Sequence, residues 1–180
     1  DTSTNDSCLL VAAGTSAINI DDKSSPDYFK FKQAVVDTLT ELAQKIVRDG
    51  EGATKFVTIR VEEGASSAES LKVAYAIAHS PLVTTALFAS DANWGRIVAA
   101  IGYAGIEGLN VDKVRVYLDD VLIVENGGRA PSYSEDAGQA VMLKDEILLR
   151  VCLGRGSISE TIWTTDLSHE YITINAEYRT

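Results

Sequence analysis

The chain has 180 residues, 46% hydrophobic and 23% charged, which is enough for one domain, residues 1–180, with a core of its own. A net charge of −10 with no basic cluster argues against nucleic acid or an anionic membrane surface as partner. No apolar run approaches the ~18 residues a membrane helix needs. Because the chain begins at Asp1, directly before strand-like sequence, a processed or truncated piece is expected, and any targeting segment is unobservable.

Asp1 to Asp6 is short, polar and rich in hydroxyls, and reads as a turn or loop. Its spaced acids echo a calcium loop, but the glycine and the distal glutamate of that motif are missing. Ser7 to Ala12 reads as a strand ending at Gly14. Ser24-Ser25-Pro26-Asp27 is a helix start, with a capping serine and a proline in the first turn. Phe31, Val35, Leu39, Leu42 and Ile46 then form the apolar stripe of a long amphipathic helix. Asp49-Gly50 ends it, with a glycine suited to a left-handed cap. Thr54 to Val61 is a strand with Val57, Ile59 and Val61 on one face and Phe56, Thr58 and Arg60 on the other. Ser66-Ser67-Ala68-Glu69 matches a capping box and opens a helix carrying Leu71, Ala74, Tyr75 and Ala78 on one side.

Ser80-Pro81 breaks that helix. Ser80 to Gly105 is the longest weakly charged run, and it organises the chain. Leu82 to Phe88 is apolar and β-branched, as in a strand buried on both faces. Asp91 or Asn93 then caps a helix with Trp94 in its first turn and Ile97, Ala100, Ile101 and Ala104 at helical spacing. Val114–Leu118 and Val121–Val124 read as a hairpin turning at Asp119-Asp120, followed by a loop over Asn126–Pro131. Ile147–Leu153 and Ile158–Thr164 read as a second hairpin, turning at Gly154-Arg155-Gly156. The tail from Thr165 to Thr180 is mixed polar and aromatic, without a disorder signature. There are no repeats or linkers. The fold class is α+β, mixed sheets with packed helices and hairpins in the C-terminal half.

Cys8 and Cys152 each lie in a predicted strand and read as buried free thiols, with a disulfide between them as the alternative. His79 and His169 read as structural or surface residues, and no metal site is expected. Thr165-Asp166-Leu167-Ser168-His169 holds the residue types of a triad, but triad members meet through the fold and seldom along so short a stretch. Gly154-Arg155-Gly156 lacks the strand–helix context of a phosphate loop and reads as a turn. The Glu62-Glu63 pair reads as a strand end in solvent. Glu51 differs, because Gly50 and Gly52 remove side-chain cover around it. It is either a solvated loop acid or a carboxylate placed to receive an ammonium group.

Five motifs appear in order: Asp1-Thr2-Ser3-Thr4-Asn5-Asp6, Gly50-Glu51-Gly52-Ala53-Thr54-Lys55, Ser80-Pro81-Leu82-Val83, Ser90-Asp91-Ala92-Asn93-Trp94-Gly95-Arg96 and Thr164-Thr165-Asp166-Leu167-Ser168-His169. Together they resemble the C-terminal β chain of the ornithine acetyltransferase (glutamate N-acetyltransferase) family over Asp1 to Thr180. The resemblance implies a precursor of N-terminal-nucleophile type that cuts itself into two chains, the new N-terminal Thr becoming the nucleophile. It implies ping-pong transfer of acetyl from N-acetylornithine to glutamate, with no cofactor. It also implies an α-chain partner in an α2β2 heterotetramer, and a cytoplasmic site, or the mitochondrial matrix in a eukaryote. The β chain of the family begins before the position matching Asp1, so no catalytic residue is expected in this chain, and Thr54 is not the nucleophile. The family's oxyanion donors lie on its other chain. The substrate-binding positions that carry over are Glu51, Asn175 and Thr180. A related N-terminal-nucleophile peptidase or amidase, and a non-catalytic binding domain, are the competing readings. A half-molecule of this kind should expose apolar surface to its partner.

Overall fold

A computed structural model describes residues 6–177. Its strands are β1 (Phe56–Gly64), β2 (Arg115–Leu118), β3 (Val121–Glu125), β4 (Gly128–Arg129), β5 (Glu146–Cys152) and β6 (Ile158–Thr165). Its helices are α1 (Pro26–Arg48), α2 (Ser67–Ala78), α3 (Pro81–Phe88), α4 (Trp94–Tyr103), α5 (Glu135–Met142) and α6 (His169–Glu177). The strands make one mixed sheet in the order β4-β3-β2-β5-β1-β6, so the α+β class holds. Helix α2 packs on β1 and β6, α4 packs on α2, and α5 packs against β2 and β3.

Val57, Ile59 and Val61 are fully buried and alternate along β1 as the sequence predicts. The predicted β2–β3 hairpin forms, and β4 extends it through a turn at Asn126-Gly127. The predicted hairpin of β5 and β6 does not form. Strand β1 lies between them, parallel to β5 and antiparallel to β6. The connecting loop wraps the end of β1, where Leu153 N–H donates to Glu62 O and the Arg155 and Gly156 N–H groups donate to Glu63 O. Gly156 is required there, because a Cβ would lie 2.5 Å from Gly64 O. Sequence adjacency favours pairing the two late strands; β1 instead has its backbone paired on both edges, by β5 on one and β6 on the other.

Leu82 to Phe88 is helix α3, not a strand. Pro81 occupies the first turn, Ser80 caps it by accepting from Val83 N–H, and the buried positions Val83, Thr84, Ala86 and Leu87 follow the helical period. A short apolar run carries no period strong enough to choose, and here the Ser-Pro start decides. Asn93, rather than Asp91, caps α4, and Ile97, Ala100, Ile101 and Ala104 are buried as predicted. In α2 the buried face is Ser70, Val73, Ala74, Ile77 and Ala78, a rotation that leaves Tyr75 exposed. Helix α1 starts at the Ser25 cap and ends at Asp49, but the left-handed residue that follows is Gly52 rather than Gly50. Ser7 to Ala12 forms no strand, and Cys8 there is exposed. Asp1 to Asn5 lie outside the described residues.

The predicted stripe on α1 is largely uncovered: Phe31, Leu39, Leu42 and Ile46 are 58, 44, 48 and 37% exposed, and Val35 is half-buried. What ties α1 to the sheet lies at its C-terminal end, where Arg48 pairs with Glu146 at 2.7 Å and lies over the Phe56 ring. No single helix among the described residues is long and apolar enough to cross a membrane. The adjoining apolar helices α2 and α3 are bent 57° from each other and bury residues in the core.

Cys152 is buried in β5, as the sequence predicts. Burial, with the Glu63 carboxylate nearby, pushes its thiol up to about 11. The thiolate is the reactive form, so iodoacetamide at pH 8 should leave Cys152 unmodified in the native protein and label it only after denaturation. Peptide mass mapping reads this directly, and native labelling of Cys152 would contradict its burial.

Candidate functional site

The site begins where α1 ends. The chain turns through Gly50 to Ala53, with Ala53 N–H donating to Gly50 O at 3.0 Å, and Gly52 adopts φ +66°. Gly52 lies so close to the start of α6 that a Cβ would meet Tyr171 N at 2.6 Å and Ser168 Oγ at 2.8 Å. Glycine is therefore needed twice here, for the left-handed backbone and for the close approach. Glu51 precedes it, half-buried, on a loop pressed against another element.

That element is the junction of β6 with α6. The Asp166 carboxylate is 1% exposed and accepts three hydrogen bonds. Thr54 N–H and Lys55 N–H donate to Oδ1 at 2.8 Å each, and Thr54 Oγ1 donates to Oδ2 at 2.6 Å. The Thr54 hydroxyl thus gives its one hydrogen to Asp166. The Lys55 ammonium donates to Met142 O and Lys144 O at the C-terminal end of α5, where backbone carbonyls lack helical partners. Ser168 Oγ donates to Gly52 O at 2.6 Å and accepts from Tyr171 N–H at 3.2 Å, in the manner of a helix cap.

Helix α6 then brings Asn175 to the loop. Its Nδ2 donates to Glu51 Oε2 at 2.8 Å and to Tyr171 O at 2.9 Å. Both partners are acceptors, which fixes the amide with its nitrogen toward them. Both amide hydrogens are committed, so the pair offers incoming molecules only acceptors: the Glu51 carboxylate and Asn175 Oδ1. A cluster of acceptors carrying a negative charge suits a donor-rich cation such as an ammonium group and disfavours a carboxylate. Two of the predicted binding residues, 124 positions apart in sequence, thus touch. The third, Thr180, lies outside the described residues.

The other sequence candidates fall elsewhere. His79 and His169 are exposed, and His169 packs against the Phe88 ring. Among the described residues no cluster of His, Cys, Asp or Glu could hold a metal. Glu62 and Glu63 are not simply in solvent: Glu63 pairs with Arg115 at 2.6 Å and Glu62 with Arg150 at 3.7 Å. Gly154-Arg155-Gly156 is a turn, as predicted. An open cleft of about 320 Å³ lies beside α6, lined in part by His79, Thr84, Asp166 and Tyr171 but not by Glu51 or Asn175. Asp166 and Ser168 are the residues whose part in the site the sequence reading missed. Their signal was present, since a serine three positions before the bonded Tyr171 N–H is a helix-start pattern.

Comparison with known proteins bears on this arrangement. The ArgJ family profile matches residues 1–180. The chain is 57% identical over 181 aligned positions to the arginine biosynthesis bifunctional protein ArgJ of Pseudomonas fluorescens (strain Pf0-1), covering 100% of this chain and 45% of that protein. The crystal structure of the arginine biosynthesis bifunctional protein ArgJ of Bacillus halodurans superposes with a TM-score of 0.89 at 35% identity, over 99% of this chain and 83% of that one. The chain therefore spans about half the length of the curated relative it matches.

Proposed function

The chain belongs to the ArgJ family, and from that premise we propose that it is the substrate-holding part of a glutamate N-acetyltransferase in arginine biosynthesis. The full-length protein moves acetyl from N2-acetyl-L-ornithine to L-glutamate. A nucleophile outside this chain takes the acetyl group, ornithine leaves with its amine restored, and the glutamate amine then attacks the acyl carbonyl. Glu51 and Asn175 hold the substrate ammonium, and Thr180 is a further substrate-binding residue by resemblance to the family. The observation that carries this is the 2.8 Å contact between Asn175 and Glu51, which leaves an acceptor-only surface.

The rest of the molecule is an α chain cut from the same precursor, assembled as α2β2 in the cytoplasm, or in the mitochondrial matrix in a eukaryote. The uncovered stripe on α1 supports such a partner. The Bacillus chain supports separate chains, because this chain fills 83% of it but only 45% of the Pseudomonas protein.

The test is the full-length protein with acetyl-labelled N-acetylornithine and glutamate. Labelled acetylglutamate and ornithine should appear in equal amounts. Release of free acetate with no transfer would overturn the reading in favour of a hydrolase. Labelled acetyl-CoA in the same assay reads out whether a second donor is accepted.

A further inference from the structure

We propose that Ser168 is a positioning residue for the Glu51–Asn175 pair, an inference that rests on the acetyl-transfer reading above. Its buried hydroxyl commits its one hydrogen to Gly52 O at 2.6 Å and accepts Tyr171 N–H at 3.2 Å. The first bond fixes the residue next to Glu51. The second fixes the first turn of α6, one turn before Asn175. Asn175 in turn donates to both Tyr171 O and Glu51 Oε2. The contacts form a closed circuit through Glu51, Gly52, Ser168, Tyr171 and Asn175, in which the serine hydroxyl ties the two backbones together.

Without that hydroxyl, the hydrogen bond that remains between the loop and α6 at the Glu51–Asn175 pair, among the described residues, is the one between those two side chains. Asn175 is exposed, and each side chain then regains its own rotamer freedom. Placement of binding groups to within a fraction of an ångström depends on such supporting contacts. The surrounding fold does not depend on Ser168 in the same way. Asp166 anchors Thr54 and Lys55 independently, and Leu167 N–H is tied to Thr84 O at 3.1 Å. Losing the hydroxyl should therefore loosen the pair more than the domain.

The test uses the full-length protein with Ser168→Ala. The KM for N-acetylornithine should rise roughly five- to tenfold, the effect of one such hydrogen bond, with kcat changed less than about twofold. Amide exchange should quicken in peptides covering residues 51–54 and 169–175 and stay unchanged in β1 and β5. Ser168→Thr and Ser168→Val form a second comparison, nearly equal in shape and differing in the hydroxyl. The threonine variant should keep the lower KM. Unchanged KM in S168A, unchanged exchange at the site, or equal KM in the threonine and valine variants would each overturn the proposal. The exchange result stands without catalysis, so a wild-type protein that transfers no acetyl rejects the functional reading and leaves the positioning role to be decided by exchange.

Discussion

Glu51→Gln should lower kcat/KM for N-acetylornithine about a hundredfold while leaving the fold intact. The α-nitrogen of that substrate is acylated, so its one ammonium is the δ-ammonium, and an acceptor-only surface has one cationic group to take. Glutamine is nearly the shape of glutamate, and its carbonyl oxygen can keep the bond from Asn175 Nδ2. What is lost is the charge. A hydrogen bond to a charged group contributes about 1.5–3 kcal/mol, or roughly 10- to 150-fold in binding. Steady-state kinetics with each substrate, alongside thermal unfolding, separates this from a folding defect. A loss below about threefold would remove Glu51 from the site.

Asp166→Ala should destabilise the protein by about 2–3 kcal/mol, because it orphans the buried Lys55 N–H and strips the more exposed Thr54 N–H and hydroxyl of an acceptor that water replaces only in part. An unpaired buried donor costs about 1–3 kcal/mol, which sets the larger share of the expected loss. Asp166→Asn, which keeps one oxygen acceptor and puts an N–H₂ group in place of the other, should fall between the wild type and Asp166→Ala. The same change frees the loop that carries Glu51, so activity of the folded fraction should drop as well. Urea unfolding followed by a structural probe reads the stability change as a shift in midpoint. A shift equivalent to less than about 1 kcal/mol would mean the loop is anchored by other contacts.

Much of the fold was legible wherever a local signal had one meaning. The Ser25-Pro26 start, the alternation of Val57, Ile59 and Val61, and the spacing of Ile97, Ala100 and Ile101 each matched the structure. Leu82 to Phe88 failed because an apolar run of that length fits a buried strand and a buried helix equally. The β5–β6 pairing failed for a different reason. Strand order is a long-range property, and nothing near Gly154 announces that β1, some ninety residues earlier, inserts between them. Helix α6 was missed because its mixed polar faces give weak periodicity, and α5 because it is only eight residues long, although Ser134 and Ser168 mark both starts.

The site divides along the same line. Glu51, Asn175 and Thr180 came from the resemblance to a family, and only the glycines around Glu51 spoke for themselves. The reason Glu51 and Asn175 touch lies in Asp166 and Ser168, residues that bind backbone rather than substrate. Such supports leave no mark in a sequence beyond a capping pattern, because their partners are more than a hundred positions away.

The most direct measurement is a double-mutant cycle on kcat/KM for N-acetylornithine, with Glu51→Gln, Asn175→Ala and the two combined. If the two side chains hold one ammonium as a unit, the double variant should be little worse than Glu51→Gln alone, giving a coupling above about 1 kcal/mol. Losses that simply multiply would mean that the two residues touch in the structure but act on different things.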